Sequence, residues 1–136
     1  MEKLRKFYID GEWVTPVSQK TMPVLNPASE TEIGYIILAE NEDVDIAVSA
    51  AFSAFEGFSQ LTKSDRLELL NNIKSITKRR IEELAQAMAL EMGAPITMAR
   101  AAQADAAVGH LDGFISALQD HNERVELQNG DILLRE

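Results

Sequence analysis

Few residues in this 136-residue chain have the type and spacing to do chemistry, and the carboxylate of Glu91 is the most informative. It stands just before Met92-Gly93-Ala94-Pro95, a glycine-then-proline stop that places it at the C-terminal end of a helix. The helix dipole disfavours negative charge there, so such a carboxylate is easier to understand beside a cation. A neighbouring Lys or Arg side chain would supply one. The other carboxylates gather as Glu40, Glu42, Asp43 and Asp45, and as Glu82 and Glu83. Both groups fall at helix starts, where dipole compensation explains them without an acid–base role.

The remaining candidates subtract more than they add. The chain has no cysteine, which removes disulfides, thiolate metal sites and thiol nucleophiles from these residues. His110 and His121 lack neighbours at chelating spacing and read as surface or interhelix histidines. None of the seven glycines forms G-x-G-x-x-G or a P-loop, so no dinucleotide cradle of that kind is present. Gly109 and Gly113 are spaced as G-x-x-x-G, but His110 and Asp112 lie between them, which favours close helix packing over a membrane dimer.

Composition narrows the class further. Hydrophobic residues at 46% and charged residues at 26% are those of one ordinary soluble globular domain. A net charge of −9 argues against nucleic acid and anionic membranes as partners, since both are negative. The triplet Lys78-Arg79-Arg80 is too short to reverse that and reads as a solvated face or a bend. No stretch approaches the ~18 apolar residues of a membrane helix, and Met1–Lys6 is not followed by an apolar signal core. The expected location is cytoplasmic.

The elements that must position these residues form a β opening, a helical middle and a β ending. Asp10-Gly11 supplies the positive φ angles of a two-residue hairpin, pairing Tyr8 with Trp13 and Phe7 with Val14. A second strand pair is expected over 21–25 and 32–38, turned by Asn26-Pro27-Ala28-Ser29. Asn41 should cap a first helix whose apolar stripe is Val44, Ala47, Val48, Ala51, Phe55 and Phe58. Thr62 and Asp65 are spaced for mutual capping of a second helix, with Leu67, Leu70 and Ile73 on its apolar face. A third carries Ile81, Leu84, Ala85, Met88 and Met92. A last helix, about 97–121, has Ala104, Val108, Leu111, Ile115 and Leu118 on one face and is rich in small residues that permit close backbone approach. The chain ends in a hairpin expected to turn at Asn129-Gly130, with Leu127 opposite Ile132 and Val125 opposite Leu134 on one apolar face.

Three phrases in fixed order carry a family likeness: Phe7–Val14 (FYIDGEWV), Val24–Gly34 (VLNPASETEIG) and Glu91–Pro95 (EMGAP). With the helices between them they resemble the opening of the NAD(P)-dependent aldehyde dehydrogenase superfamily, from about Phe7 to Glu136. The resemblance implies an α/β fold. Residues 1–122 would be the N-terminal portion of a cofactor-binding domain, with hairpins over 7–38 and helices over 41–121. Residues 123–136 would begin the strands that join subunits. It further implies a monovalent cation, K⁺ or Na⁺, held by Glu91 and by the backbone carbonyls of Val24 and Leu25, with another ligand from elsewhere in the polypeptide. Ala102 and Ala106 would border the substrate tunnel, their small side chains leaving room for a bulky or aromatic aldehyde.

Enzymes of that family use a cysteine nucleophile and NAD or NADP, and neither the thiol nor a cofactor contact is assignable here. The expectation is an N-terminal piece of such an enzyme, inactive alone and binding no cofactor by itself. Its partners would be the remainder of the parent polypeptide and a second copy joined through the 124–135 hairpin. The competing expectation is a short non-catalytic interaction module acting through that same hairpin.

Overall fold

The computed structural model describes residues 5–121, 124–126 and 132–134. Within them the order is β1 (Phe7–Ile9), β2 (Glu12–Val14), β3 (Thr21–Asn26), β4 (Thr31–Ile37), α1 (Asn41–Ser59), α2 (Lys63–Arg79) and α3 (Ile81–Met92). There follow α4 (Ile96–Met98), a π-helical segment (Ala99–Ala104), α5 (Asp105–Asp120), β5 (Arg124–Glu126) and β6 (Ile132–Leu134). The fold is α/β, and the described strands form three separate antiparallel pairs.

Turn chemistry sets the first two pairs. Asp10 and Gly11 both adopt positive φ, 53° and 79°, so the turn's twist matches that of the strands it joins. Phe7 accordingly pairs with Val14 and Tyr8 with Trp13, whose rings meet at 5.2 Å between centroids. β3 and β4 pair from Thr21–Ile37 to Asn26–Thr31, with a register shift between Val24 and Leu25. Asn26 closes their turn: its Oδ1 accepts from Ala28 N (2.9 Å) and its carbonyl from Glu30 N (2.8 Å).

Helix ends mostly follow their expected caps. Thr62 and Asp65 cap each other reciprocally, with Asp65 N donating to Thr62 Oγ1 (3.2 Å) and Thr62 N to Asp65 Oδ2 (3.0 Å). Around Lys78-Arg79-Arg80 the chain breaks, α2 stopping at Arg79 and α3 starting at Ile81. Asn41 is not the cap of α1; Glu40 holds that place and Asn41 is the first helical residue. The reason lies in Asp43, whose Oδ2 accepts from Glu40 N (3.0 Å) while its Oδ1 accepts from Val17 N (2.9 Å). This one buried carboxylate ties the start of α1 to the loop after β2.

The core lies among the later helices. Ala85, Ala99 and Ala104 are wholly buried against one another, with Ile81, Met88, Ala89 and Ile96 around them. Val108 and Ile115 are buried on the face of α5 that was expected to be apolar. Small side chains let α3 and the π segment approach closely, as the alanine content suggested. The expected single helix over 97–121 instead carries a π-helical stretch at Ala99–Ala104. α1 departs most from expectation. Val44, Val48, Phe55 and Phe58 of its apolar stripe are exposed, because nothing in the described residues covers them.

The last hairpin is out of its expected register. Glu126, not Leu127, lies across from Ile132, and Val125 lies across from Leu133 rather than Leu134. An odd number of residues separates Glu126 from Ile132, whereas a two-residue turn at Asn129-Gly130 leaves an even number. A one-residue slip changes which residues share a face, so the register does not group Val125 with Ile132 and Leu134. Leu127, Asn129 and Gly130 lie outside the described residues.

Candidate functional site

The three residues expected to hold a monovalent cation belong to two elements whose ends adjoin. Val24 and Leu25 flank the register shift of β3, where the ladder loses its regular spacing. Glu91 lies in the last turn of α3, and the following residue but one, Gly93, adopts φ 70°. Gly93 N donates to Ala89 O (3.1 Å), closing the helix in a left-handed cap. A Cβ added to Gly93 would stand 2.9 Å from Pro27 Cγ and 3.5 Å from Ala28 N, so the end of α3 rests directly on the Asn26–Ser29 turn. Glu91 is exposed and makes no ion pair with any described residue. The Lys or Arg partner left open by the sequence is therefore not found among them.

The two alanines expected at a substrate tunnel stand on either side of the junction between the π segment and α5. Ala102 is exposed within the π segment. Ala106 is exposed at the start of α5 and lines a shallow groove of ≈ 580 Å³ with Gly109, His110, Gly113, Phe114 and Ala117. That groove is nearly all apolar and lies on the side of α5 away from Val108 and Ile115 by helical spacing.

An interaction the sequence did not disclose holds the π segment in place. Arg100 donates from Nε to Glu82 Oε2 (2.7 Å) and from Nη2 to Glu82 Oε1 (2.6 Å), a bidentate pair across two elements. Gln86 Nε2 adds a third donor to the same carboxylate at 3.0 Å. These donors, Arg100 first, lower the Glu82 pKa to about 2, and the Glu82 carboxylate in turn raises that of Arg100. In the same π segment the side-chain oxygen of Gln103 is buried with no hydrogen-bond partner among the described residues. Eighteen positions separate Arg100 from Glu82, and no helical or strand spacing announces a pair so far apart.

None of this assembles a reaction centre within the described residues. No group of three or more His, Cys, Asp or Glu side chains is placed to hold a metal ion among them. His110 and His121 are exposed on α5 and just beyond it. No described helix is long and apolar enough to cross a membrane.

Comparison with known proteins defines the class. The sequence pattern of the aldehyde dehydrogenase family matches residues 13–134. The chain is 42% identical over 123 residues to 3-succinoylsemialdehyde-pyridine dehydrogenase from a Pseudomonas species, covering 90% of this chain and 26% of that protein. An aldehyde dehydrogenase from Bartonella henselae superposes with a TM-score of 0.90 at 33% identity, over 93% of this chain and 27% of that one. Aldehyde dehydrogenase C of Pseudomonas syringae, solved as a mutant with NAD⁺ and octanal, superposes with a TM-score of 0.88 at 38% identity, over 91% of this chain and 26% of that one. The chain belongs to the aldehyde dehydrogenase family. It spans about a quarter of the length of these relatives.

Proposed function

We propose that this chain is the N-terminal quarter of an NAD(P)⁺-dependent aldehyde dehydrogenase, which oxidises an aldehyde to a carboxylic acid. The observation that carries the reading is the superposition, at 38% identity, on an enzyme that was solved with both NAD⁺ and octanal. The bound nicotinamide supplies the hydride acceptor in such an enzyme. The cysteine nucleophile that adds to the carbonyl, and the groups that stabilise the oxyanion, belong to the remainder of the parent polypeptide, since these 136 residues hold no cysteine.

This chain's own contributions are positional. Residues 1–122 build the outer hairpins and helices of the cofactor domain, and residues 123–136 open the strands that join subunits into a homo-oligomer. Glu91, with the carbonyls of Val24 and Leu25, holds a K⁺ or Na⁺ ion together with a ligand from later in the polypeptide. The contact between the Gly93 cap and the Pro27 turn supports that reading, as does a carboxylate with no ion-pair partner among the described residues. Ala102 and Ala106 border the aldehyde's path, and their small side chains suit a bulky or aromatic substrate. The pyridine-bearing aldehyde in the name of the Pseudomonas relative is of that kind. The parent works in the cytoplasm.

The test compares residues 1–136 with the full-length polypeptide in an NADH-formation assay over aliphatic and aromatic aldehydes. The full-length protein is expected to reduce NAD⁺ or NADP⁺ in proportion to its concentration, and residues 1–136 are not. A full-length protein without aldehyde-dependent NAD(P)H formation would end the enzyme reading.

A further inference from the structure

The longest helix leaves a row of large apolar side chains uncovered among the described residues. Val44, Val48, Phe52 and Phe55 of α1 are spaced four, four and three residues apart, which lines them along one side of the helix. They are exposed by 51%, 61%, 81% and 66%. Isolated exposed apolar residues are ordinary on protein surfaces, but a row of two valines and two phenylalanines on one helix is not. The helix is nonetheless held firmly at both ends. Asp43 anchors its first turn to Val17 and Glu40. At the other end Arg66 donates to the carbonyls of Leu61 (3.2 Å), Ser59 (3.2 Å) and Phe58 (3.4 Å), its guanidinium lying over the Phe58 ring. The row is thus presented in a fixed orientation, the arrangement that makes docking cheap in ordering entropy.

Two occupants compete for this face: a second copy of the chain, or polypeptide from beyond residue 136. The acidic side chains Asp45 and Glu56 border the row by helical spacing, and the chain carries a net charge of −9. Two such faces brought together oppose like charges. The chain also spans only 26–28% of its relatives, which leaves most of such an enzyme to supply a cover. We infer that the Val44–Val48–Phe52–Phe55 row of α1 is the seat of an apolar segment of the parent polypeptide that follows Glu136. This deepens the proposed function and rests on its premise that a longer parent exists.

The experiment is done on the full-length polypeptide. Phe52→Cys and the milder Val48→Cys are labelled with a charged maleimide, folded and in urea, and the modified peptides are quantified by mass spectrometry. Labelling at both positions is expected to be slower by at least tenfold in the folded protein, at every protein concentration, with unchanged molecular mass by light scattering. If Phe52→Cys fails to fold, Val48→Cys alone decides. Equal labelling in folded and unfolded protein overturns the inference. Protection that disappears on dilution, with the mass falling to that of one chain, assigns the face to a second copy and overturns it too. Wild-type NADH formation is read separately, so an active parent with a freely labelled α1 retains the enzyme reading and rejects only this one.

Discussion

Gly93 meets two separate demands, a left-handed φ of 70° and a close approach to Pro27. A Cβ at 2.9 Å from a proline ring cannot be relieved by swinging a flexible side chain aside, and positive φ adds strain for any other residue. Gly93→Ala should therefore destabilise the protein by about 1–3 kcal/mol, seen as a lower urea midpoint with an unchanged slope. An unchanged midpoint would mean that α3 does not rest on the turn as described. Glu82 makes a prediction in pH. Its folded pKa, about 2, lies below its ordinary value, so the stability it contributes is present above roughly pH 4.5. That stability is lost as pH falls toward 2. Asp43, Asp65 and Glu83 are shifted in the same direction by their own hydrogen-bond donors. Glu82→Gln should flatten part of the acid limb of a stability-versus-pH curve, measured as urea midpoints between pH 5 and 2. A limb identical to wild type would show that the Arg100 pair is not formed in solution.

At the scale of elements, caps and turns carried the most reliable local information. The reciprocal Thr62–Asp65 cap was legible because both partners lie within one turn and both bonds are local. Thr62→Ala should cost α2 about 1 kcal/mol, read as a lower thermal midpoint by circular dichroism; no loss would mean the cap is replaced by water at no cost. The α1 cap misled because Asp43 satisfies both Glu40 N and a distant backbone donor, Val17 N. The π segment at Ala99–Ala104 was also out of reach of the sequence. An alanine-rich run is compatible with either helix, and the choice is made by packing against Ala85 and by Arg100 reaching Glu82. In the final hairpin a strong turn dipeptide at Asn129-Gly130 suggested a register that the pairing of Glu126 with Ile132 contradicts.

For the molecule as a whole, the distribution of burial is the main finding. Among the described residues the wholly buried side chains are three alanines, while large apolar residues on α1 and Phe114 on α5 stay exposed. A chain of this length that leaves Phe52, Phe55, Phe58 and Phe114 in water has not finished burying its apolar surface. Residues 1–136 expressed alone should therefore bind a hydrophobic dye such as ANS far more strongly than the full-length polypeptide does. Equal dye binding would mean that the exposed faces remain open in the parent, against both the proposed function and the seat inferred on α1.

The sequence by itself determined the α/β class, the first two hairpins, the helix-stop at Gly93 and the family, because each rests on local turn chemistry, helical periodicity or an ordered set of short motifs. Only the tertiary structure decided that the end of α3 sits on the Pro27 turn, that Arg100 clamps Glu82, and that the stripe of α1 has no cover among the described residues. Those are contacts, or missing contacts, between residues far apart in sequence. Periodicity shows that a helix has an apolar face, but what meets that face depends on where the rest of the polypeptide goes.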